Sequence, residues 1–414
     1  MNAELATTGP SPGAAPPELA GLRLARSVNQ MSPAVLLGLL AKAARPEVIS
    51  FALGMPDLDL FPTREFSRAV DEVLDEEALA LQYCLPFHPL KSHIRRLMEE
   101  RTGRPCPEDR IFLTAGAQQG MQLLVQLLLD PGGAVVTEEV VYEGIHMAIR
   151  GWAPRVLTVP TSSREGVDVD AVEARMAARP RPAFLYLIPD GHNPLGAGLS
   201  VEKRRHLAGL AARYRVPIIE DDAYGHLHYG GDPHPPLWTF DQSWVFHLGS
   251  FSKILAPGLR LGWVVAPRAL HSKLSGVKHG ADLDTGNFLQ RVTARYLDTG
   301  TFALHLEALR GEYKVRRDAM GEALAEAMPD GVSWTIPEAG MFIWLSLPAG
   351  IDTVQLLEEA LEEDVAFSPG IAFAAGGSGG ESRLRLCFAN QPPARIHEGI
   401  RRLEKVLRRR CRAV

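Results

Sequence analysis

Lys253 follows Ser252 in a stretch that also carries Ser250, Pro257, Gly258, Arg260 and Gly262, directly after the apolar run Trp244 to Leu248. An amine on a stiff turn at a strand end is suited to condense with an aldehyde. A fixed guanidinium seven residues on can hold a phosphate carried by that aldehyde. Ser-x-Ser-Lys alone describes many surface turns beside Pro-Gly; the longer string points to chemistry.

Other clusters supply partners for such a ligand. Asp221 lies in the acidic run Glu220, Asp221, Asp222, after the apolar segment Val216 to Ile219. A carboxylate at a strand end can sit under a pyridine nitrogen and keep it protonated, because opposite charges in a desolvated pocket favour the ionised pair. Tyr224, three residues later, can donate to a phenolic oxygen of the same ring. Asn193, ahead of Pro194, is held extended or in a turn where its amide can reach that oxygen. Thr114, Gly116, Ala117 and Gln118 join a strand to an apolar helix, whose free N–H groups form an anion site. With Ser250, Ser252 and Arg260 they would make a phosphate cup. Tyr142 opens the helix after the strand ending near Thr137, where an aromatic ring can stack on a pyridine face. Arg383, Arg385 and Cys387 alternate along one strand and share a face. An inward arginine there matches a substrate carboxylate by two parallel hydrogen bonds. Together these groups describe a pyridoxal-phosphate site. His226, His228 and His234 near Asp221 are spaced too loosely for a metal site, and no metal is expected.

The elements that must position these groups are legible as alternating runs. Ile111 to Leu113, Ala134 to Thr137, Val156 to Val159, Ala183 to Ile188, Val216 to Ile219, Val245 to Leu248 and Leu261 to Val265 are short and apolar. Helix-period segments at Gln118 to Leu129, Tyr142 to Arg150 and Val201 to Tyr214 separate several of them. This order predicts an α/β fold with a mostly parallel, doubly covered sheet of seven strands and its site at the strands' C-terminal ends. After Thr301 a long helix, strands near Val332, Phe342 to Leu347 and Arg383 to Phe388, and helices at Val354 to Glu363 and Pro393 to Arg409 read as a smaller α+β domain. The expected division is a disordered arm over 1–20, rich in Pro, Ala and Gly, an N-terminal segment over 21–55 packing with the small domain, a large cofactor-binding domain over 56–300 and a small C-terminal domain over 301–414. A helix is expected from Ser32 to Pro46, followed by a short strand from Val48 to Leu53.

The 414 residues, 46% of them hydrophobic, are enough for two sizeable cores. A net charge of -5 and a pI near 6.2 provide no basic field for nucleic acid or anionic lipid. Cys84, Cys106, Cys387 and Cys411 lie far apart without metal or disulfide spacing, which fits a reducing cytoplasm. No apolar run approaches the length of a membrane span, and no signal segment is apparent.

These residues, in this order, resemble fold-type I pyridoxal-phosphate enzymes, in particular class I/II aminotransferases of the 2-aminoadipate and kynurenine aminotransferase group. The likeness runs from about Arg26 to the C-terminus and includes Met31, Ser32 and Pro33, the stretch Arg45 to Asp57, and Phe61-Pro62. The resemblance implies that Lys253 forms an aldimine with the cofactor and shuttles the substrate Cα proton. It implies that Asp221 pairs with the pyridine nitrogen, Asn193 and Tyr224 with O3′, and that Tyr142 stacks on the ring. Gln118, Ser250, Ser252, Arg260 and the backbone of Ala117 would hold the phosphate. Arg385 would take the substrate carboxylate, beside Gly54. It further implies a homodimer with shared sites, in which Tyr83 reaches the other subunit's phosphate, and substrates that are an amino acid and a 2-oxo acid.

Four departures from the family pattern stand out. Ala117 replaces a hydroxyl residue, Leu53 replaces a glycine beside Gly54, the stretch Tyr83 to Phe87 and His88 lacks a glycine five residues after the tyrosine, and His192 stands where glutamine is frequent. All four are expected around the cofactor or the substrate entrance. They keep a second outcome in view: elimination or replacement, decarboxylation, or oxidative deamination on the same cofactor. A DNA-binding regulator with an aminotransferase-like domain would need a winged helix, for which the proline-rich arm ahead of Arg26 is too short.

Overall fold

The computed structural model describes residue 43 and residues 45–83, 87–230, 233–377 and 379–411. The expected arm over 1–20, the helix from Ser32 and the Met31-Ser32-Pro33 motif lie outside them, as does Cys84.

All seven apolar runs are strands of one sheet. Its order is Ile111–Thr114, Gly262–Val265, Val245–Ser250, Ile218–Asp221, Leu185–Leu187, Ala134–Glu138 and Arg155–Val159. Every neighbouring pair is parallel except the two made by Gly262–Val265, which runs against both neighbours. The five central strands, from Gly262–Val265 to Ala134–Glu138, are buried throughout, as apolar runs without polar alternation require when both faces are covered. This order brings the C-terminal ends of six strands to one edge. The antiparallel strand adds its beginning there, placing Gly262 opposite both Thr114 and Ser250.

Three strands begin later than their apolar runs, at Leu185, Ile218 and Gly262 rather than Ala183, Val216 and Leu261. Val216 to Ile219 reads as the strand, yet the ladder starts at Ile218, because Pro217 lacks an N–H to donate. At its other end the ladder runs two residues past Ile219, so Asp221 is the last strand residue, paired with Leu248.

Helices surround the sheet, among them Ala117–Leu128, Glu143–Ile149 and Val201–Tyr214. The sequence reading had not placed the helices Thr63–Glu76, His88–Thr102, His271–Asp282 and Asn287–Asp298. After the 26-residue helix Phe302–Ala327, a four-stranded antiparallel sheet forms from Ser333–Trp334, Phe342–Ser346, Arg383–Cys387 and Ser368–Pro369. The short strand Ile49–Ser50 pairs in parallel with Val365–Ala366, and Cys387 N–H donates to Phe51 O at 2.9 Å. Leu53 and Gly54 are thus delivered to the sheet edge by backbone bonds to the C-terminal part of the chain.

Candidate active site

At that edge a cavity of about 300 Å³ is bordered by Gly54, Ala117, Gln118, Tyr142, Asn193, Asp221, Tyr224, Ser250, Ser252, Lys253, Arg260 and Arg385. These are all the candidate site residues except Tyr83, drawn from segments spread over 330 positions.

Lys253 Nζ donates to Gly54 O at 2.7 Å. Burial brings its pKa down from the ordinary lysine value to about 8, and the guanidiniums of Arg385 and Arg260 push the same way. A larger share of the amine is thereby neutral, and nucleophilic, near neutral pH than in an ordinary lysine. Asp221 is buried, and Tyr186 donates its hydroxyl to Asp221 Oδ2 at 2.7 Å. Burial pushes this carboxyl up to about 6 against the help of Tyr186. Its other oxygen, Oδ1, is buried without a hydrogen-bond partner. Such a group costs free energy unless a donor reaches it, and a protonated ring nitrogen is a donor of the right charge.

The opposite end of the cavity is built for an anion. The helix Ala117–Leu128 begins after Gly116 without a side-chain cap, so its first N–H groups are free of that partner. Gly116 has φ +81°, and a Cβ there would lie 2.7 Å from Arg260 Nη2, so only glycine lets the guanidinium approach the helix start. Arg260 itself sits in the left-handed region at φ +48°, with Nη2 donating to Ala115 O at 3.1 Å. That backbone costs about 1–2 kcal/mol for a residue with a Cβ, offset here by the contacts its fork makes.

Asn193 Oδ1 accepts from Arg385 Nη1 at 2.7 Å, which leaves the Asn193 amide nitrogen to donate elsewhere. Arg385 also donates from Nη2 to Ala52 O and, at 3.3 Å, to Ser368 Oγ. Its guanidinium lies 4.3 Å from the Phe342 ring centre and 4.7 Å from that of Phe373, while its buried Nε has no partner. Arg383, expected on the same face, is exposed at the strand's start. Burial holds the phenol of Tyr224 well above its usual range and pushes Tyr142 up to about 12, so both remain donors at neutral pH. Gln118 donates through Nε2 to Gly144 O at 3.0 Å and sits beside Tyr142.

The departures separate. Leu53 and Ala117 border the cavity. His192 does not: it is buried behind the edge, its Nε2 lying 2.9 Å from Glu138 Oε2. Phe87 donates its N–H to Gln290 Oε1 at 3.0 Å under the Arg291 guanidinium, and His88 faces Glu108. The expectation that all four surround the site therefore holds, within one chain, for two. Tyr83 is 85% exposed and borders a different depression of about 960 Å³ with His88, Lys91 and His271.

Met121, Glu143, Ile188, Ala223, Pro257 and Phe342 border the cavity without having been singled out. Tyr186 was also missed as the partner of Asp221. Its signal is tertiary: Tyr186 stands opposite Ile219, two residues before Asp221, in the parallel register.

The chain matches the model of the family "Aminotransferase class I and II" over residues 47–403. It is 38% identical over 370 residues to aromatic-amino-acid aminotransferase 1 of Thermococcus litoralis, covering 87% of this chain and 88% of that protein. It is 38% identical to the 2-aminoadipate transaminase of Thermus thermophilus over 92% of this chain and 96% of the relative. Among solved structures, the alpha-aminoadipate aminotransferase LysN from Thermus thermophilus, complexed with N-(5'-phosphopyridoxyl)-L-leucine, superposes with a TM-score of 0.86 at 36% identity, covering 94% of this chain and 98% of that one. The protein belongs to the class I and II aminotransferases and has the fold-type I architecture. It is a pyridoxal-phosphate enzyme that moves an amino group between an amino acid and a 2-oxo acid.

Proposed function

We propose that Lys253 is the amine that tethers the cofactor and then carries the substrate's Cα proton during amino transfer. The cofactor, when bound, supplies a cationic ring that withdraws the electron pair left at Cα. Asp221, held by Tyr186, would offer its unpartnered oxygen to the ring nitrogen and keep it protonated. Asn193 and Tyr224 would donate to the ring's phenolic oxygen. Tyr142 would cover the ring. Arg260, Ser250, Ser252, Gln118 and the N–H of Ala117 bind the phosphate at the helix start. Arg385 holds the substrate carboxylate, and Gly54 with Leu53 borders the side-chain end. Lys253, whose amine burial holds at a pKa of about 8 in this cavity, would be the group to accept and return the substrate's Cα proton.

What carries this reading is that an orphaned carboxylate oxygen and a depressed lysine share one cavity. A donor screen tests it: amino acids are mixed with holoenzyme while visible absorbance is followed and products are analysed by mass spectrometry. Stoichiometric appearance of a 2-oxo acid and aminated cofactor is expected for some donor. Loss of a side-chain fragment or of carbon dioxide, with no amino transfer to a keto acid, would replace transamination by the alternative chemistry.

We also propose the division of the chain at residues 55/56 and 300/301, residence in the cytoplasm, and a homodimer that places Tyr83 at the second subunit's phosphate. No helix among the described residues is long and apolar enough to cross a membrane. Cys106 and Cys387 are free and buried, as suits a reducing compartment. The exposed apolar side chains Leu58, Leu79, Leu81 and Tyr83 support an interface. Sedimentation equilibrium is expected to return twice 45.2 kDa; a monomer retaining full activity would dismiss the shared site.

A further inference from the structure

Asp221 is the middle one of three consecutive carboxylates. Strand alternation turns it toward the cavity and sends Glu220 and Asp222 to the other side. There Glu220 accepts from the N–H of Trp238 at 3.2 Å and faces His247 Nδ1 at 3.1 Å. Asp222 faces His247 Nε2 at 3.6 Å and pairs through Oδ2 with Arg101 Nη1. Arg101 comes from the end of the helix His88–Thr102, with its side chain 7% exposed. Its second nitrogen, Nη2, donates to Asp190 Oδ2 at 3.1 Å. Asp190 is itself clamped by Arg204, whose Nη2 and Nη1 reach its two oxygens at 2.7 and 2.9 Å, and by His228 Nε2 at 3.0 Å.

One guanidinium therefore spans two loops. Asp190 stands three residues before Asn193, and Asp222 stands between Asp221 and Tyr224. Four carboxylates, Asp190, Glu220, Asp221 and Asp222, are at most 5% exposed and share this space with two guanidiniums. Without Arg101, Asp222 would stand as an uncancelled charge beside Asp221. Gly225 completes the arrangement, because a Cβ there would overlap both Arg101 Nη2 and Asp222 Oδ1.

We infer that Arg101 is a positioning residue of the active site: its fork, closed across Asp190 and Asp222, fixes the loops that present Asn193, Asp221 and Tyr224 and cancels the charge adjoining Asp221. The inference rests on the role proposed for Asp221. The groups that set the local potential are Glu220, Asp222 and Tyr186 on the strands, His247 on the next strand, Asp190, Arg204, His226 and His228 behind, and Lys253, Tyr142, Tyr224, Arg385, Arg260 and Cys387 in front.

The test is a spectrophotometric pH titration of the lysine-bound cofactor in the holoenzyme with Arg101→Met, Asp222→Asn and the two combined. Removing a buried cation raises the midpoint and removing a buried anion lowers it, each by about one pH unit, so the double variant is expected to return close to the unsubstituted value. Amino-donor half-reactions should slow about 100-fold in Arg101→Met with KM little changed, since Arg385 is untouched, and Arg101→Lys should recover part of the rate. A purely structural role does not produce opposed shifts that cancel. Shifts of one sign, or none, overturn the inference. Should Arg101→Met fail to fold, Asp222→Asn alone decides: a lowered midpoint supports the inference and an unchanged one overturns it. If the unsubstituted protein lacks an absorbance that Lys253→Ala abolishes, the assignment of Lys253 fails first and takes the inference with it.

Discussion

Lys253→Ala is expected to lower turnover by about 10⁴-fold or more, because on the function proposed for Lys253 one substitution removes both the amine that captures the cofactor and the base that moves the proton. The visible absorbance of a lysine-linked cofactor should vanish and the remaining cofactor should dialyse away. The fold should be undisturbed, since Nζ makes a single hydrogen bond to Gly54 O among the described residues and nothing else depends on it. In the unsubstituted apoprotein, capture of the aldehyde should speed up as pH rises toward about 8, where half of Lys253 is neutral, and level off above it. Turnover of Lys253→Ala within tenfold of the unsubstituted enzyme would refute both roles at once.

Asp221→Asn is expected to cost about 10³-fold in the amino-donor half-reaction, the loss typical of one preorganised charge in a dry site. It should also stabilise the apoprotein. The Asp221 carboxyl is pushed up to about 6 by burial, above its unfolded value near 3.8. The folded protein therefore binds that proton more tightly than the unfolded chain. The resulting stabilisation is complete below about pH 4, is lost as pH rises through about 6, and is absent at neutral pH. Ionised Asp221 thus costs the empty protein on the order of 2–3 kcal/mol at pH 7. Asparagine keeps an acceptor for Tyr186 and carries no charge, so thermal unfolding of the apo variant should occur higher than that of the unsubstituted apoprotein at pH 7 and no higher at pH 4. Full activity in the variant would show that Asp221 does not hold the ring's proton, and equal apo stabilities at neutral pH would show that burial does not raise its carboxyl.

The legible part of the site consists of residues whose positions follow from being near the end of a strand. Lys253, Asp221, Asn193, Tyr142 and Gln118 each stand within a few residues of an apolar run, and parallel order collects such positions whatever the loop lengths. His192 shows the converse. It sits one residue from Asn193, yet the turn aims Asn193 at Arg385 and His192 at Glu138, and neighbouring positions in a turn share no periodicity that would tell them apart. Tyr83, Phe87 and His88 point away from this chain's cavity, so their relation to chemistry depends on a second subunit.

Hydrophobic rhythm by itself determined the seven strands and the covering helices between several of them, because burial on both faces of a parallel sheet demands unbroken apolar runs and leaves the chemistry at their ends; the roles of Lys253, Asp221, Arg260 and Arg385 were implied by motif residues that resemble those of aminotransferases. Tertiary structure alone decided the rest. It turned Asp221 toward the cavity and Glu220 and Asp222 away from it, left one Asp221 oxygen without a partner, and closed Arg101 across two carboxylates separated by 32 positions. Electrostatic balance among buried groups depends on distances of a few ångströms between segments remote in the chain, and no local pattern encodes those distances.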